Sequence, residues 1–244
     1  MLADRLHVSY LRRVKPADKR GELFGALAVA GPFLFTVAWL VAWQVQDEYS
    51  PRREEISALA ALDAQHGWIM IVGFLAFGVG TLALGFALPN TLRRGVSATI
   101  GATFVLLAAV GIFVAGSGRM DCSDELAACR ARVDAGDVSW HHQVHIVSSG
   151  VAFLALVIAQ LVLARAFHRD GHWSDLRSYS FASGLGTLVL LVLYVANVAQ
   201  DWDGIMQRIF LAVPLAWIVV LGMRVHRRSA GASGAPVRAS GRLA

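Results

Sequence analysis

Long apolar runs alternate with short polar stretches along this chain. The runs fall at residues 23–44, 67–88, 96–117, 142–164, 179–198 and 207–223, and charged side chains are nearly absent from them. Each is close to the ~20 residues that a helix needs to cross the hydrocarbon layer of a bilayer. Inside that layer every backbone N–H and C=O must find its partner within the segment, so runs of this length predict helices. Six of them predict an all-α, polytopic membrane protein, a bundle of six transmembrane helices. Small residues recur on single faces of two spans, as Gly73, Ala76, Gly80 and Ala87 on the second and Gly101, Ala108, Gly111 and Ala115 on the third. Helices in lipid associate through such residues, because close contact replaces the hydrophobic effect that drives packing in water. Pro32 and Pro214 predict bends in the first and last spans.

The flanks complete the organisation. Residues 1–20 are basic and polar and read as a cytoplasmic tail, 21–224 as the six-helix transmembrane domain, and 225–244, rich in Ser, Gly, Ala and Arg, as a disordered cytoplasmic tail. The first apolar run is long enough to span the bilayer, so it reads as a retained anchor and not as a cleaved signal peptide.

Composition agrees with lipid as the solvent. Hydrophobic residues make up 56% of the chain and charged residues only 16%, too little charge to cover the surface of a water-soluble protein of 244 residues. The net charge of +5 does not point to nucleic acid: the chain has no recognition helix, zinc finger or basic–aromatic platform, and its basic residues sit in tails and short loops, beside anionic headgroups. Of the 22 Lys and Arg, only Arg52, Arg53, Arg119, Arg130, Arg132 and Arg208 fall in or beside the first, third and fifth loops. The positive-inside rule therefore predicts a multi-pass protein of the cell membrane with both termini cytoplasmic.

With that orientation the polar chemistry gathers outside. Most of the 17 acidic residues lie in the outer loops, together with His66, His141, His142 and His145 at the membrane edge. His141 and His145, four apart at the start of the fourth span, share one helical face that Ser148 and Ser149 continue inward. Such a stripe must face the bundle interior or water. Two imidazoles one turn apart suit a shared divalent metal such as zinc, and Asp121 at the end of the third span is the candidate third ligand. Asn197 and Asp201 make a further polar face near the end of the fifth span. The competing readings are histidines bonded only to backbone or water, and a proton relay or substrate contact without metal. Haem is disfavoured, since two histidines on one face cannot ligate iron from opposite sides. Cys122 and Cys129 both lie in the third loop, where an oxidising compartment would join them; a free pair is the alternative, and the spacing is not the Cys-x-x-Cys of thiol redox catalysis.

Several of these segments resemble a bacterial integral-membrane family, domain of unknown function 998. Tyr49-Ser50-Pro51 with Ile56-Ser57-Ala58-Leu59 resembles its first outer loop, Asp121 its aspartate after the third helix, and Trp140-His141-His142-Gln143-Val144-His145 its Trp-His-Gly-x-x-His approach to the fourth helix. His142 stands where that pattern has Gly. Asp203-Gly204-Ile205-Met206-Gln207-Arg208 resembles its last outer loop. The resemblance covers about residues 22–223 and implies a six-helix bundle of uncharacterised function. More distantly, the Ser, Asp and paired His are similar to those of zinc-dependent membrane hydrolases such as alkaline ceramidases, by analogy alone.

Three functions of different classes follow. The first is a structural or lipid- or partner-binding membrane protein whose polar cluster organises the outer loops. The second is a metal-dependent hydrolase acting on a lipid or amphiphile at the outer leaflet, with His141, His145 and Asp121 on the metal and Ser57 as a catalytic residue that orients substrate or donates a hydrogen bond to the developing oxyanion. The third, a transporter, has the least support, because no span carries a charge at depth and the two halves share no broken-helix repeat.

Overall fold

The structure is a computed structural model that describes residues 18–231 except 197, 199 and 200. Seven α-helices run through it: α1 (Lys19–Val45), α2 (Gly67–Thr91), α3 (Val96–Ser117), α4 (Ala127–Asp134), α5 (Trp140–His168), α6 (Arg177–Val195) and α7 (Asp203–Gly231), with short 3-10 turns at Ile56–Ala60 and Ser174–Leu176. All but α4 are long and apolar enough to cross a membrane, so six spans are present, as the apolar runs predict. Successive spans pack as neighbours, α1 on α2, α2 on α3, α3 on α5, α5 on α6 and α6 on α7, and α7 returns to α1 to close a ring. With an even number of spans, Asp18 and Gly231 lie at one end of the bundle. The disulfide described below marks the other.

Small residues set how closely the ring closes. A Cβ on Gly31 of α1 would stand 2.5 Å from the Ala76 carbonyl oxygen and 2.8 Å from the Gly80 Cα of α2, and one on Gly80 would stand 2.9 Å from the Gly31 Cα. Backbone meets backbone there, which only paired glycines allow. The small-residue faces read from the sequence are buried at Gly73, Gly80 and Ala87 on α2, where Ala76 is half-buried, and at Gly101, Ala108, Gly111 and Ala115 on α3. α1, α2 and α7 each continue through an internal proline, Pro32, Pro89 and Pro214.

Two elements differ from the sequence expectation. The third loop folds into α4, a helix of eight residues whose charged sequence carries no span-like signal. At the other end, α7 does not stop near residue 223 but continues to Gly231, through residues assigned by composition to a disordered tail. Its extra turns have partners: the Arg224 guanidinium pairs with Asp175 and donates to the His172 carbonyl at 3.0 Å, and Arg228 donates to the Thr91 carbonyl at 3.1 Å. Trp173, fully buried against Phe167, donates to that same carbonyl at 3.3 Å and anchors the loop below α5. Composition registers none of these long-range bonds.

Candidate functional site

The polar cluster is built where α3 ends and α5 begins. Ser139 caps α5, its hydroxyl accepting from the His142 N–H at 3.3 Å. The same serine donates to Asp121 twice, from its N–H at 2.7 Å and its hydroxyl at 2.6 Å. Asp121 is thus a brace between two helix ends. Desolvation pulls its carboxyl upward, but the two Ser139 bonds outweigh it, and with His141 and His142 nearby they hold the carboxyl below the usual aspartate range. His141 Nδ1 lies 3.6 Å from Asp121 and 2.7 Å from the Arg119 carbonyl. A carbonyl only accepts, so that nitrogen carries a proton.

His142 and His145 turn inward and are buried, at 1% and 3% exposure. His142 Nδ1 accepts from the Asp121 N–H at 3.1 Å, which puts its proton on Nε2, 3.2 Å from Asp124. His145 Nδ1 donates to the Ala115 carbonyl of α3 at 2.8 Å, which leaves Nε2 as the free lone pair. Its ring stands edge-on to Phe74, 6.1 Å between centroids.

His145 lines a cavity of about 300 Å³ at the disulfide end of the ring, to which all six spans contribute. Its walls are apolar, with Phe35, Phe74, Phe77, Ile112, Phe153 and Leu211 among them, while Glu55, Ser57, Asp124, Ser149, Tyr194 and Gln207 supply polar atoms. Ile146, Gly150 and Val195 line the cavity and are also exposed on the outside of the bundle. They flank a side opening between α5 and α6. The buried residues of α6 are Ser180, Ser183, Gly184 and Thr187, and none of its residues beyond Thr187 is buried.

The polar rim is held by the loop before α2. Gln207 of α7 accepts from the Ile56 N–H at 2.7 Å, and Tyr49 donates to the Glu55 carbonyl at 2.8 Å. Arg208 lies over the Trp39 ring at 5.1 Å and donates to the carbonyls of Glu54 and Gly204. Burial pushes the Tyr49 hydroxyl well above its ordinary range, against the pull of Arg208. Glu55 is only 7% exposed, and its Oε2 has no hydrogen-bond partner. Burial, reinforced by the facing Glu125 carboxylate, raises the Glu55 carboxyl to about 8. Glu125 and Asp124 are raised by burial as well, Glu125 also by Asp203 and Asp124 against the pull of His142 and Arg130.

The residues singled out from sequence thus separate into groups. Asp121, His141 and His142 meet at the α3–α5 junction, whereas Ser57 and His145 line the cavity. Cys122 and Cys129 are joined in a disulfide with Cα atoms 5.8 Å apart, which ties the start of α4 beside Asp121. His66 precedes α2 and is exposed; Asp201 is exposed as well, and its carbonyl accepts from Arg52 at 3.2 Å. Asn197 lies outside the described residues. Among the described residues, no three His, Cys, Asp or Glu side chains are grouped so as to hold a metal ion. The reason is local: the Nδ1 atoms of His141 and His145 go to different carbonyls of the α3 end, and Ser139 takes both Asp121 oxygens. Sequence reasoning missed Glu55, Tyr194 and Gln207. Gln207 and Tyr194 are isolated polar residues at span ends, a weak signal, and Glu55 looked like one loop acid among many.

No curated protein and no solved structure matches the chain. A family model does match, described as protein of unknown function (DUF998), over residues 29–224. That range covers α2, α3, α5 and α6 whole and most of α1 and α7, with the first-loop turn and the histidines that open α5, and on it the chain belongs to the DUF998 family.

Proposed function

We propose that this protein binds one small amphiphile, a lipid or lipid-like molecule, in the cavity between its helices at the outer leaflet. The cavity itself is the observation that supports this reading. It is apolar along its length and polar at the loop end, and it opens sideways between α5 and α6 at Ile146, Gly150 and Val195. A site of this kind takes an apolar body and orients it by a few polar groups. A tail can leave through the side opening into lipid without crossing water. The outer placement rests on the basic-residue asymmetry and on the disulfide, which belongs in an oxidising compartment.

Ser149→Phe tests the reading, because Ser149 lines the cavity and a phenyl group there fills it. Lipid extracted from protein purified in mild detergent should contain one retained amphiphile per chain for the parent and none for Ser149→Phe, with similar thermal stability. Equal retention by both chains, or none by either, sinks the proposal.

The hydrolase reading draws on Ser57 and His145 sharing the cavity. As arranged, though, His141, His145 and Asp121 do not fit a three-ligand centre, so no catalytic step is assigned to them. Metal content of the purified protein, with His145→Ala as the comparison, separates the two readings.

A further inference from the structure

The polar end of the cavity is unusual in the sign of its charge. Glu55, Asp124, Tyr194 and Val195 line both the cavity and an adjoining cleft of about 260 Å³, and Glu125 and Asp203 line that cleft too. Four carboxyl groups therefore converge on one place. One cation lines the cleft with them, Arg130, which pairs with Glu125 at 3.0 Å but is half exposed, while the His142 ring sits 3.2 Å from Asp124. No ion pair among the described residues involves Glu55 or Asp203, although both are buried. Carboxyl groups buried this close together share protons in place of charge, and they ionise together only where a cation is seated among them. The Glu55 Oε2 is bare and buried at the mouth of an apolar chamber.

Resting on the amphiphile reading, we propose that the ligand is cationic, a molecule with an ammonium head seated between Glu55 and the neighbouring acids and an apolar tail in the cavity. Aromatic rings favour the same sign. Tyr194 lines both chambers beside Glu55, and Phe153 lines the cavity; the faces of such rings attract ammonium groups. A dehydrated metal ion is a poorer match, because the acids do not group as metal ligands. A carboxylate or phosphate head would meet the acids, and Arg208, whose Nε is buried, lines a different cavity.

The test uses the full chain in phosphatidylcholine nanodiscs and three probes with one tail: octyltrimethylammonium, octanol and octanoate. Saturable binding above that of empty discs is read for each. Octyltrimethylammonium should bind tightest and octanoate weakest, by at least about tenfold. Glu55→Gln should erase the advantage of the ammonium probe, while retained octanol binding reports an intact cavity. Should Glu55→Gln lose octanol as well, Asp203→Asn is judged by the same criterion. Equal binding of the three probes, or an ammonium preference that survives both substitutions, overturns the cationic ligand and leaves the cavity reading standing. Failure of every probe to saturate overturns both.

Discussion

Glu55 and Asp121 carry opposite lessons about an acid at a membrane edge. Asp121 has two donors from one serine and is held ionised, whereas Glu55 has a bare oxygen and a facing carboxylate and is held protonated. Their pH dependences therefore run in opposite directions. Because the folded Glu55 carboxyl is raised, folding takes up a proton. Its stabilising effect is complete below the unfolded value and lost as pH rises toward about 8. Glu55→Gln should flatten that loss, and at pH 8 should exceed the parent in stability by more than about 1.4 kcal/mol, the equivalent of one unit. Thermal unfolding at pH 5 and pH 8 checks it; parallel curves for the two chains would contradict it. Asp121 is depressed, so its contribution is present above the unfolded value and disappears as pH falls through the folded one. Ser139→Ala removes the cap of α5 and one Asp121 bond together. It should cost about 1–3 kcal/mol at neutral pH, and less in acid, where the carboxyl is already protonated. A loss that does not diminish in acid would mean that the brace plays no part.

Helices were legible where lipid dictates them and obscure where long-range contacts do. The six apolar runs correspond to α1, α2, α3, α5, α6 and α7, because hydrocarbon enforces one backbone solution along each run. α4 and the last turns of α7 were not legible, since a disulfide and bonds to distant loops hold them. The same division applies to the site. The His141–His145 spacing foretold a shared face, but which carbonyl each nitrogen would meet depends on where α3 ends. Glu55 could not be distinguished from other loop acids until the loop had folded over the cavity. At this scale the Gly31–Gly80 contact makes the sharpest prediction. Gly80→Val places carbon where α1 backbone already lies and should destabilise the bundle by ~3 kcal/mol or more. Gly186→Ala in α6 is the matched control: nothing lies within 4 Å of its added carbon, so the change should be neutral or stabilising by up to ~1 kcal/mol. Similar unfolding temperatures for the two variants would remove the close contact from the account.

Across the whole molecule, charge and covalent chemistry are the two grounds on which we propose an orientation. The start of α1 and the end of α7 meet, with His226 Nδ1 3.0 Å from the Glu22 carbonyl, so these two helix ends lie at one end of the bundle. By the positive-inside rule, the small share of Lys and Arg in the first, third and fifth loops is the ground on which we propose that this end faces the cytoplasm. The Cys122–Cys129 bridge stands at the other end, where an oxidising compartment would preserve it. These are separate physical causes, an electrostatic bias during insertion and a redox poise afterwards, and they can be tested separately. A reporter fused beyond Gly231 should be active only if it works in the cytoplasm. In intact cells, a membrane-impermeant maleimide should leave both cysteines unlabelled until an impermeant phosphine is added outside, and should then label both. Replacing both cysteines by serine should lower stability by about 2.5 kcal/mol, the entropy of so short a closed loop, and most of the loss should fall on α4 and the Asp121 brace beside it. Labelling without prior reduction would remove the disulfide from the account, whereas no labelling even after the phosphine, or a periplasm-specific reporter active beyond Gly231, would invert the molecule and place the cavity and its acids at the inner leaflet.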